Sequence, residues 1–456
     1  MSDKEYIKQL QQENAELRKR IEELERLIKQ NSQNSSKPPS SDFGRNAKPT
    51  KPGPRKKRRR KQGAQKGHKP NLKQLVPEEK VTKFKHLVPE QCTCGCRDLE
   101  DCREPALRFQ TFDLPPITPI VNEYVQHTKR CKQCGDMIYK PLAESIRRNV
   151  FGPGVLAVVG VMTGMLNTSK RKALEVINEV FHVPMSLGGL SNCEAKISEA
   201  MAAPYDDLKE FVQSQDTAHA DESGWRLGNR MKGWLWAMAC STAAFFMIHT
   251  RRTQEAARAL LGGFSGILHS DRWSGYNIYD QCRQICWAHL KRDFQAISEA
   301  KGKLGRIGKQ LLAWEAHIFR DYHRARDGTI QWRTFQSRML SIQSELERLL
   351  QEGAACHGPL AGKCREIWKH RENLWTFVSH PEVSPTNNAA EQIVRQAVLW
   401  RKMSFGTQSK RGARYVERIL SVCATCRLQG RSIIDYIRQA CQAHRNNQPV
   451  PTLRPE

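Results

Sequence analysis

His219-Ala220-Asp221-Glu222-Ser223-Gly224-Trp225, Leu268-His269-Ser270-Asp271-Arg272-Trp273-Ser274-Gly275-Tyr276 and Thr386-Asn387-Asn388-Ala389-Ala390-Glu391-Gln392 decide how this chain is read. Asp221 and Asp271 stand at the ends of apolar, strand-like runs, and Glu391 opens an amphipathic helix. Two strand-borne aspartates and a helix-borne glutamate can cup two hard divalent cations, because magnesium takes oxygen ligands and dehydrates reluctantly. Such an ion pair, ~4 Å apart, activates an attacking oxygen and stabilises the departing oxygen of a phosphodiester. Any one of these carboxylates alone serves as readily as a turn former or cap. The signal is the three together, in this structural order.

The surroundings are strongly basic. A formal charge of +27 and a pI near 9.7 exceed what solubility needs. They point to a polyanionic partner, since neutralising phosphates drives salt-sensitive binding. No apolar run reaches ~18 residues, so no membrane-spanning helix is expected. The greasiest stretch, 155–165, reads as a buried helix. The N-terminus is charged and heptad-patterned, unlike a signal peptide. With no secretory signal, 15 cysteines predict thiols and metal ligands in a reducing compartment, not a disulfide framework.

Residues 5–30 carry a heptad. Ile7, Asn14, Ile21 and Ile28 occupy position a; Leu10, Leu17 and Leu24 occupy position d. Isoleucine at a with leucine at d favours a parallel dimer, and one buried asparagine fixes register at some cost in stability. Glu13 and Arg20 at g face Arg18 and Glu25 at e of a partner. The alternative is one amphipathic helix lying on the body, which needs a wider apolar stripe than this strict period provides. Residues 30–42 are rich in Asn, Ser and Pro. Residues 45–69 hold Arg55, Lys56, Lys57, Arg58, Arg59, Arg60 and Lys61 and no acid, a block expected to be disordered alone and to grip DNA phosphates without reading sequence.

Cys131-Lys132-Gln133-Cys134-Gly135 has the form of a zinc knuckle, two thiolates on one tight turn with glycine allowing positive φ. Its counterpart is Cys92-Thr93-Cys94-Gly95-Cys96. Cys92 with Cys94 is the preferred pair, because Cys94-Gly95 mirrors Cys134-Gly135; Cys96 is an alternative to either. Buried free cysteines are the other reading of the set. Further on, 170–181 and 190–201 read as helices broken by Val183-Pro184-Met185-Ser186-Leu187-Gly188-Gly189, with Ser191 as the second helix's cap. The pair is helix-turn-helix-like, and plain helical packing accounts for it equally well. From 212 to 300 the pattern turns α/β: a hairpin over 232–240 and 243–248, a helix over 253–261, and strands over 266–270 and 284–288. Residues 304–377 are helical in pattern, and Asn388 is placed to cap the Glu391 helix.

These motifs, with Asn34-Ser35-Ser36-Lys37-Pro38-Pro39-Ser40-Ser41, Gly63-Ala64-Gln65-Lys66-Gly67-His68, Cys286-Trp287-Ala288-His289 and Phe405-Gly406-Thr407, resemble the insertion-sequence 66 family of transposases over most of the chain. The resemblance implies a DDE enzyme with an RNase H-like core, and the strand order β-β-β-α-β-α fits such a sheet. It further implies a magnesium-dependent site, with manganese as substitute, that cuts one strand and joins its 3′ end to target DNA. Two departures stand out. The family spaces its first cysteine pair two residues apart, and it often has Asp where Thr386 stands, so no metal role is given to Thr386.

The expected architecture is multidomain α+β. A parallel coiled coil (1–32) and a disordered basic linker (33–75) precede a zinc-binding DNA-recognition module (76–147). A helical region (148–210) leads into the first part of an RNase H-like core (211–300). An all-helical insertion (301–385) separates it from the second part, with the glutamate (386–428), and a helical tail (429–456). Asp221, Asp271 and Glu391 are the catalytic and magnesium-binding residues; Cys92, Cys94, Cys131 and Cys134 hold a structural zinc. Arg395, on the Glu391 face, is either a phosphate contact or a carboxylate's ion-pair partner. Arg401 and Lys402 begin a track for the DNA backbone. Glu222, next to Asp221, points the other way and is structural. His289 either assists with phosphate or water or is an ordinary packed histidine. Trp273 and Tyr276 are core by default, with stacking on a splayed base as the alternative. The partners are double-stranded element ends and target DNA, a second copy or higher oligomer, and small accessory proteins; the location is the cytoplasm, at the nucleoid. The rivals are a nuclease that only hydrolyses and a zipper-dimerised regulator with a dead core.

The heptad generates its own test. A peptide of residues 1–32 is expected to sediment as a dimer at high micromolar concentration, and Asn14→Ile to admit trimers or other alignments while raising stability. A monomeric parent peptide removes the zipper, and a purely dimeric variant removes the role given to Asn14.

Overall fold

A computed structural model of the chain describes residues 3–28, 30–35, 75–100, 107–228 and 231–455. The basic run at 55–61, the motif at 63–68 and nearly all of the expected linker lie outside these. The chain divides into two compact units, Pro49–Thr118 and the remainder, Met1–Lys48 with Pro119–Glu456.

In the smaller unit the Gln110 amide brackets Val76, accepting from its N–H at 2.8 Å and donating to its carbonyl at 2.9 Å. The cysteine turn closes tightly: Cys92 N donates to Cys96 O at 2.8 Å and Gly95 N to Cys92 O at 2.9 Å, with Gly95 at φ 91°. Phe84, Leu87, Val88, Leu107, Phe109 and Leu114 are all exposed here.

The larger unit begins with α1 (Asp3–Ile28), whose Ile7, Leu10, Leu17, Ile21, Leu24 and Ile28 form an exposed apolar stripe. A short hairpin follows, β1 (Thr128–Arg130) against β2 (Met137–Tyr139), with the second cysteine turn at its tip. Helices α2 (Glu144–Arg147), α3 (Pro153–Gly160), α4 (Lys170–Glu179), α5 (Leu187–Ala200) and α6 (Ala202–Gln213) come next. The expected cap Ser191 lies inside α5. Ser186 takes the cap instead, accepting from Gly189 N at 3.1 Å, so the Gly-Gly pair forms the first helical turn and is not the break.

The sheet runs in the order β5-β4-β3-β6-β7. Strands β3 (Thr217–Leu227), β4 (Met231–Ala239) and β5 (Ala244–His249) make an antiparallel meander. After α7 (Gln254–Leu261), capped by Thr253, strands β6 (Ile267–Ser270) and β7 (Arg283–Ile285) add in parallel on the other side of β3. The strand expected to reach residue 288 stops at Ile285. There Trp287 N donates to Pro385 O at 2.9 Å and α8 (Trp287–Ser298) begins. Helices α9 (Gly302–Arg326), α10 (Trp332–Ala354), α11 (Pro359–Lys369) and α12 (Thr376–Ser379) bury a separate core around Leu311, Ile318, Phe335, Leu346 and Phe377. Trp287, fully buried in that core, donates from Nε1 to Leu374 O at 2.8 Å and so ties the helices to the sheet's end. The chain returns through α13 (Asn388–Ser404), α14 (Lys410–Leu428) and α15 (Ile433–Arg445). None of the described helices is long and apolar enough to cross a membrane.

Both sheet edges are closed by side chains. Successive outward N–H groups of β5 recur every ~6.7 Å, and residues four apart on a helix recur every ~6 Å. Helix α14 exploits this match. Thr425 Oγ1 accepts from Ala244 N at 3.1 Å, Ser421 Oγ from Phe246 N at 2.9 Å and Glu417 Oε1 from Ile248 N at 2.7 Å. On the far edge Gln284 Oε1 accepts from Phe377 N and Thr376 Oγ1 donates to Arg283 O. Covering an edge in this way prevents pairing with another chain. Thr425→Val, which keeps shape but leaves Ala244 N and O without partners in a dry interface, is expected to destabilise by about 1–3 kcal/mol. Chemical denaturation reads this, with exposed Ser344→Ala as a control expected to stay within about 0.5 kcal/mol.

Candidate active site

Strands β3 and β6 pair with His219 opposite His269, so Asp221 and Asp271 each lie two residues beyond the paired histidines. Asp271 follows the end of β6, but Asp221, expected at a strand end, lies inside β3, which runs on to Leu227 against β4. The imidazoles stack at 3.9 Å. Asp271 Oδ1 accepts from Trp273 N at 2.9 Å, and Arg283 Nη2 donates to Asp271 O at 3.2 Å. Burial, and then the negative charges of Glu222, Asp271 and Glu391, hold the Asp221 carboxyl well above its ordinary 3.8. The three carboxylates therefore share one electrostatic neighbourhood. Their oxygens do not converge as a set: among the described residues the group of donor atoms within 4.8 Å of one another is Cys286, His289 and Glu391.

Glu391 is placed by α13, and α13 is fastened to β3 at three levels. At its start, Asn387, 1% exposed, donates from Nδ2 to Ala220 O at 2.8 Å and bonds through Oδ1 to His219 Nδ1 at 2.9 Å. Its own N–H reaches Cys286 Sγ at 3.1 Å. In its last turn, Arg401 Nη1 donates to Ser223 Oγ at 3.3 Å and to Gly224 O. At the end, Gly406 takes φ 101° and Thr407 accepts from Trp225 Nε1 at 3.1 Å while donating its N–H to Arg226 O at 2.9 Å. Asn388, the expected cap, is the first helical residue. The cap position belongs to Asn387, whose side chain serves β3 and not its own helix.

Around Glu391, His289 Nδ1 lies 3.5 Å from Oε1, Cys286 Sγ 4.0 Å from the same oxygen, and Arg292 Nη2 3.8 Å from Oε2. Burial, then the charge of Arg292, push the His289 imidazole below its ordinary 6.5. Glu222 has its own partners, yet its charge acts on Asp221, and that of Asp271 acts on it. Its Oε1 accepts from Arg252 Nε and its Oε2 from Tyr276 OH, both at 2.8 Å. The Arg252 guanidinium lies over Trp273 at 4.6 Å and Trp234 at 5.0 Å. Trp273 and Tyr276 are thus packing residues that brace the turn after Asp271. A Cβ at Gly275 would stand 1.9 Å from the Trp273 ring, so only glycine fits that turn.

Of the proposed DNA contacts, Lys402 and Arg395 are exposed, whereas Arg401 is half-buried and engaged with β3. In the finger region each turn holds its own pair. Cys92 is lowered chiefly by the Cys94 amide and thiol, and Cys131 by the amides of Cys134 and Gln133 and the Cys134 thiol. Cys96 faces away, towards Asp98 O at 3.5 Å. Asn387, His219, Cys286 and Arg292 are the site neighbours that sequence reasoning left without a role. The polar pair Asn387-Asn388 ahead of the glutamate helix was the available signal for the first.

The raised carboxyl gives a signed prediction. A buried acid whose folded value is raised stabilises below its unfolded value and loses that stability as pH rises through the folded one. Asp221→Asn is therefore expected to raise thermal stability at pH 7, in buffer without added divalent cations, by on the order of 1–2 kcal/mol. The gain is expected to shrink to nothing near pH 4. A difference constant from pH 4 to 8 sinks the assignment of the strain to this carboxyl.

Residues 148–415 match the Transposase IS66 family, and residues 89–135 match the zinc-finger binding domain of transposase IS66. Residues 3–74 match a family of unknown function, DUF6444. Two uncharacterized proteins of Sinorhizobium fredii (strain NBRC 101917 / NGR234) are similar. One, y4qI, is 24% identical over 265 residues, 51% of this chain and 49% of its own length. The other, y4hP, is 24% identical over 382 residues, 75% of this chain and 68% of its own length. The chain thus spans about half the length of the first and about two thirds of the second.

Proposed function

The chain belongs to the Transposase IS66 family, and from that premise we propose that it is a DDE transposase that cuts and joins DNA at Asp221, Asp271 and Glu391. The observation that supports the reading is the parallel β3–β6 register, in which the paired His219 and His269 each precede an aspartate by two residues, with the Glu391 helix fastened to β3 as well. Their donor chemistry fits hard cations. Asp221 is a buried acid whose neighbours are mostly acids, the arrangement a divalent cation relieves and a purely structural site avoids. Magnesium, or manganese in its place, would supply Lewis acidity towards the attacking and departing oxygens.

The protein's own groups hold and orient. Asp221 and Asp271 present oxygens from the sheet, and Glu391 from α13. Arg292, beside Glu391, and exposed Lys402 and Arg395 offer cations to the DNA phosphates. Arg401 acts in this reading by fixing α13 to β3. The topology supports an RNase H-like core: three antiparallel strands, two parallel ones added beside the first, and helices α9 to α12 inserted before α13. The domain boundaries given from sequence stand as part of the proposal, as does pairing of α1 with α1 of a second copy through its exposed heptad stripe.

A structural zinc on Cys92, Cys94, Cys131 and Cys134 is supported by the finger-domain match, which spans both cysteine pairs. The exposed β1–β2 hairpin supports it too, since a module with so little buried surface draws its stability from metal. Freshly purified protein is expected to hold one zinc per chain, and the Cys131→Ser, Cys134→Ser double variant none at that site, by elemental analysis.

The test of the reaction uses the element's own ends. Asp221→Asn, Asp271→Asn and Glu391→Gln are each expected to lower magnesium-dependent strand cleavage and transfer by at least a thousandfold while leaving end binding in gel-shift assays unchanged. Near-parental transfer in any one of them removes that residue from the site. Cleavage without transfer in the parent protein favours the nuclease instead.

A further inference from the structure

A second donor set converges on Glu391, and its chemistry differs from that of the aspartates. Cys286 is the residue just before α8, His289 lies in its first turn, and Glu391 lies in the first turn of α13. Two helix N-termini thus face one point, which favours anionic ligands there. Cys286 Sγ and His289 Nδ1 stand 4.0 and 3.5 Å from Glu391 Oε1, and all three donor atoms lie within 4.8 Å of one another. A tetrahedral ion with bonds of ~2.0–2.3 Å needs donor separations of roughly 3.3–3.8 Å. Contraction of about 1.5 Å at most closes the set.

One observation points to a ligand, and a second shows how the sulfur is held. His289 Nδ1 is buried without a hydrogen-bond partner, although it aims at the carboxylate. Cys286 Sγ accepts the Asn387 N–H at 3.1 Å, so a backbone donor already faces the sulfur lone pairs. Glu391 Oε2 meanwhile keeps Arg292 at 3.8 Å, leaving Oε1 for the converging point. Sulfur, imidazole nitrogen and one carboxylate oxygen form a set that magnesium does not choose, whereas zinc and cobalt do.

We propose that Cys286, His289 and Glu391 form a site for one transition-metal ion of the zinc or cobalt class, sharing Glu391 with the hard-cation site. Binding breaks the Cys286 S–H bond, releases its proton to solvent and forms a metal–sulfur bond, with no change of oxidation state. Because one carboxylate serves both ion classes, zinc here competes with magnesium-dependent chemistry. That competition rests on the role given to Glu391 above; the metal site itself does not.

Cobalt(II) is the probe, added to the full chain purified with its finger zinc in place. The parent protein is expected to take up one further ion with a thiolate-to-cobalt charge-transfer band. Cys286→Ser should lose the band, and His289→Ala and Glu391→Gln should each weaken uptake at least tenfold, with finger zinc unchanged by elemental analysis. Superimposable cobalt titrations in the parent and the three variants overturn the site. Should Cys286→Ser fail to fold, the other two variants decide it. For competition, DNA cleavage is measured in magnesium with buffered free zinc. Cys286→Ser, relative to its own zinc-free rate, is expected to need at least tenfold more zinc for half-inhibition than the parent; equal sensitivity overturns the competition. Failure of the catalytic reading shows separately, as magnesium-dependent cleavage that survives Glu391→Gln, and leaves the cobalt result standing.

Discussion

The register of β6 on β3, His269 beside His219, is the constraint on which the rest of the structure depends. Side chains alternate along a strand, so a slip by one residue turns every carboxylate to the opposite face. With this register Asp221 and Asp271 stand two residues past the paired histidines, and Glu222, beside Asp221, is held by Arg252 and Tyr276. The stacked imidazoles lie one layer beneath the carboxylates. His219 also offers the nitrogen that Asn387 binds, so the strand pairing and the helix attachment meet in one ring.

Attachment of α13 answers a problem that the topology creates. Helices α8 to α12, with their own core, separate β7 from α13, and a carboxylate arriving from so far along the chain has no local means of finding its place. Asn387, Arg401 and Thr407 supply it, each bonding to a different level of the one strand that carries Asp221. Trp287 performs the matching task at the insertion's entrance, filling the helical core from the residue that follows Cys286. The segments that leave and re-enter the sheet therefore lie side by side, with Trp287 N bonded to Pro385 O.

Local pattern made much of this legible. The β4–β5 hairpin, the strand before Asp271 and the helix carrying Glu391 announce themselves through alternation and helical spacing over a few residues. Helix starts were less legible, because Ser186 and Ser191 are equally good caps in sequence and only the packed turn selects Ser186. Asn387 and Asn388 pose the same ambiguity, resolved by a strand far away in sequence. Arg401 looks like a phosphate ligand because nothing local reveals that its guanidinium meets a carbonyl of β3. Cys286 and His289 were legible as a motif, but their convergence on Glu391 is a product of the insertion's two ends meeting, which no local pattern encodes.

The two halves of the carboxylate site differ in how their charge is balanced. Asp221 sits among acids, and its neighbours raise its proton affinity without offering a cation. Glu391 has Arg292 on one oxygen and Cys286 and His289 beside the other. The strand half thus holds its carboxyl under electrostatic strain from burial and neighbouring acids, and the helix half rests in a neutralising setting.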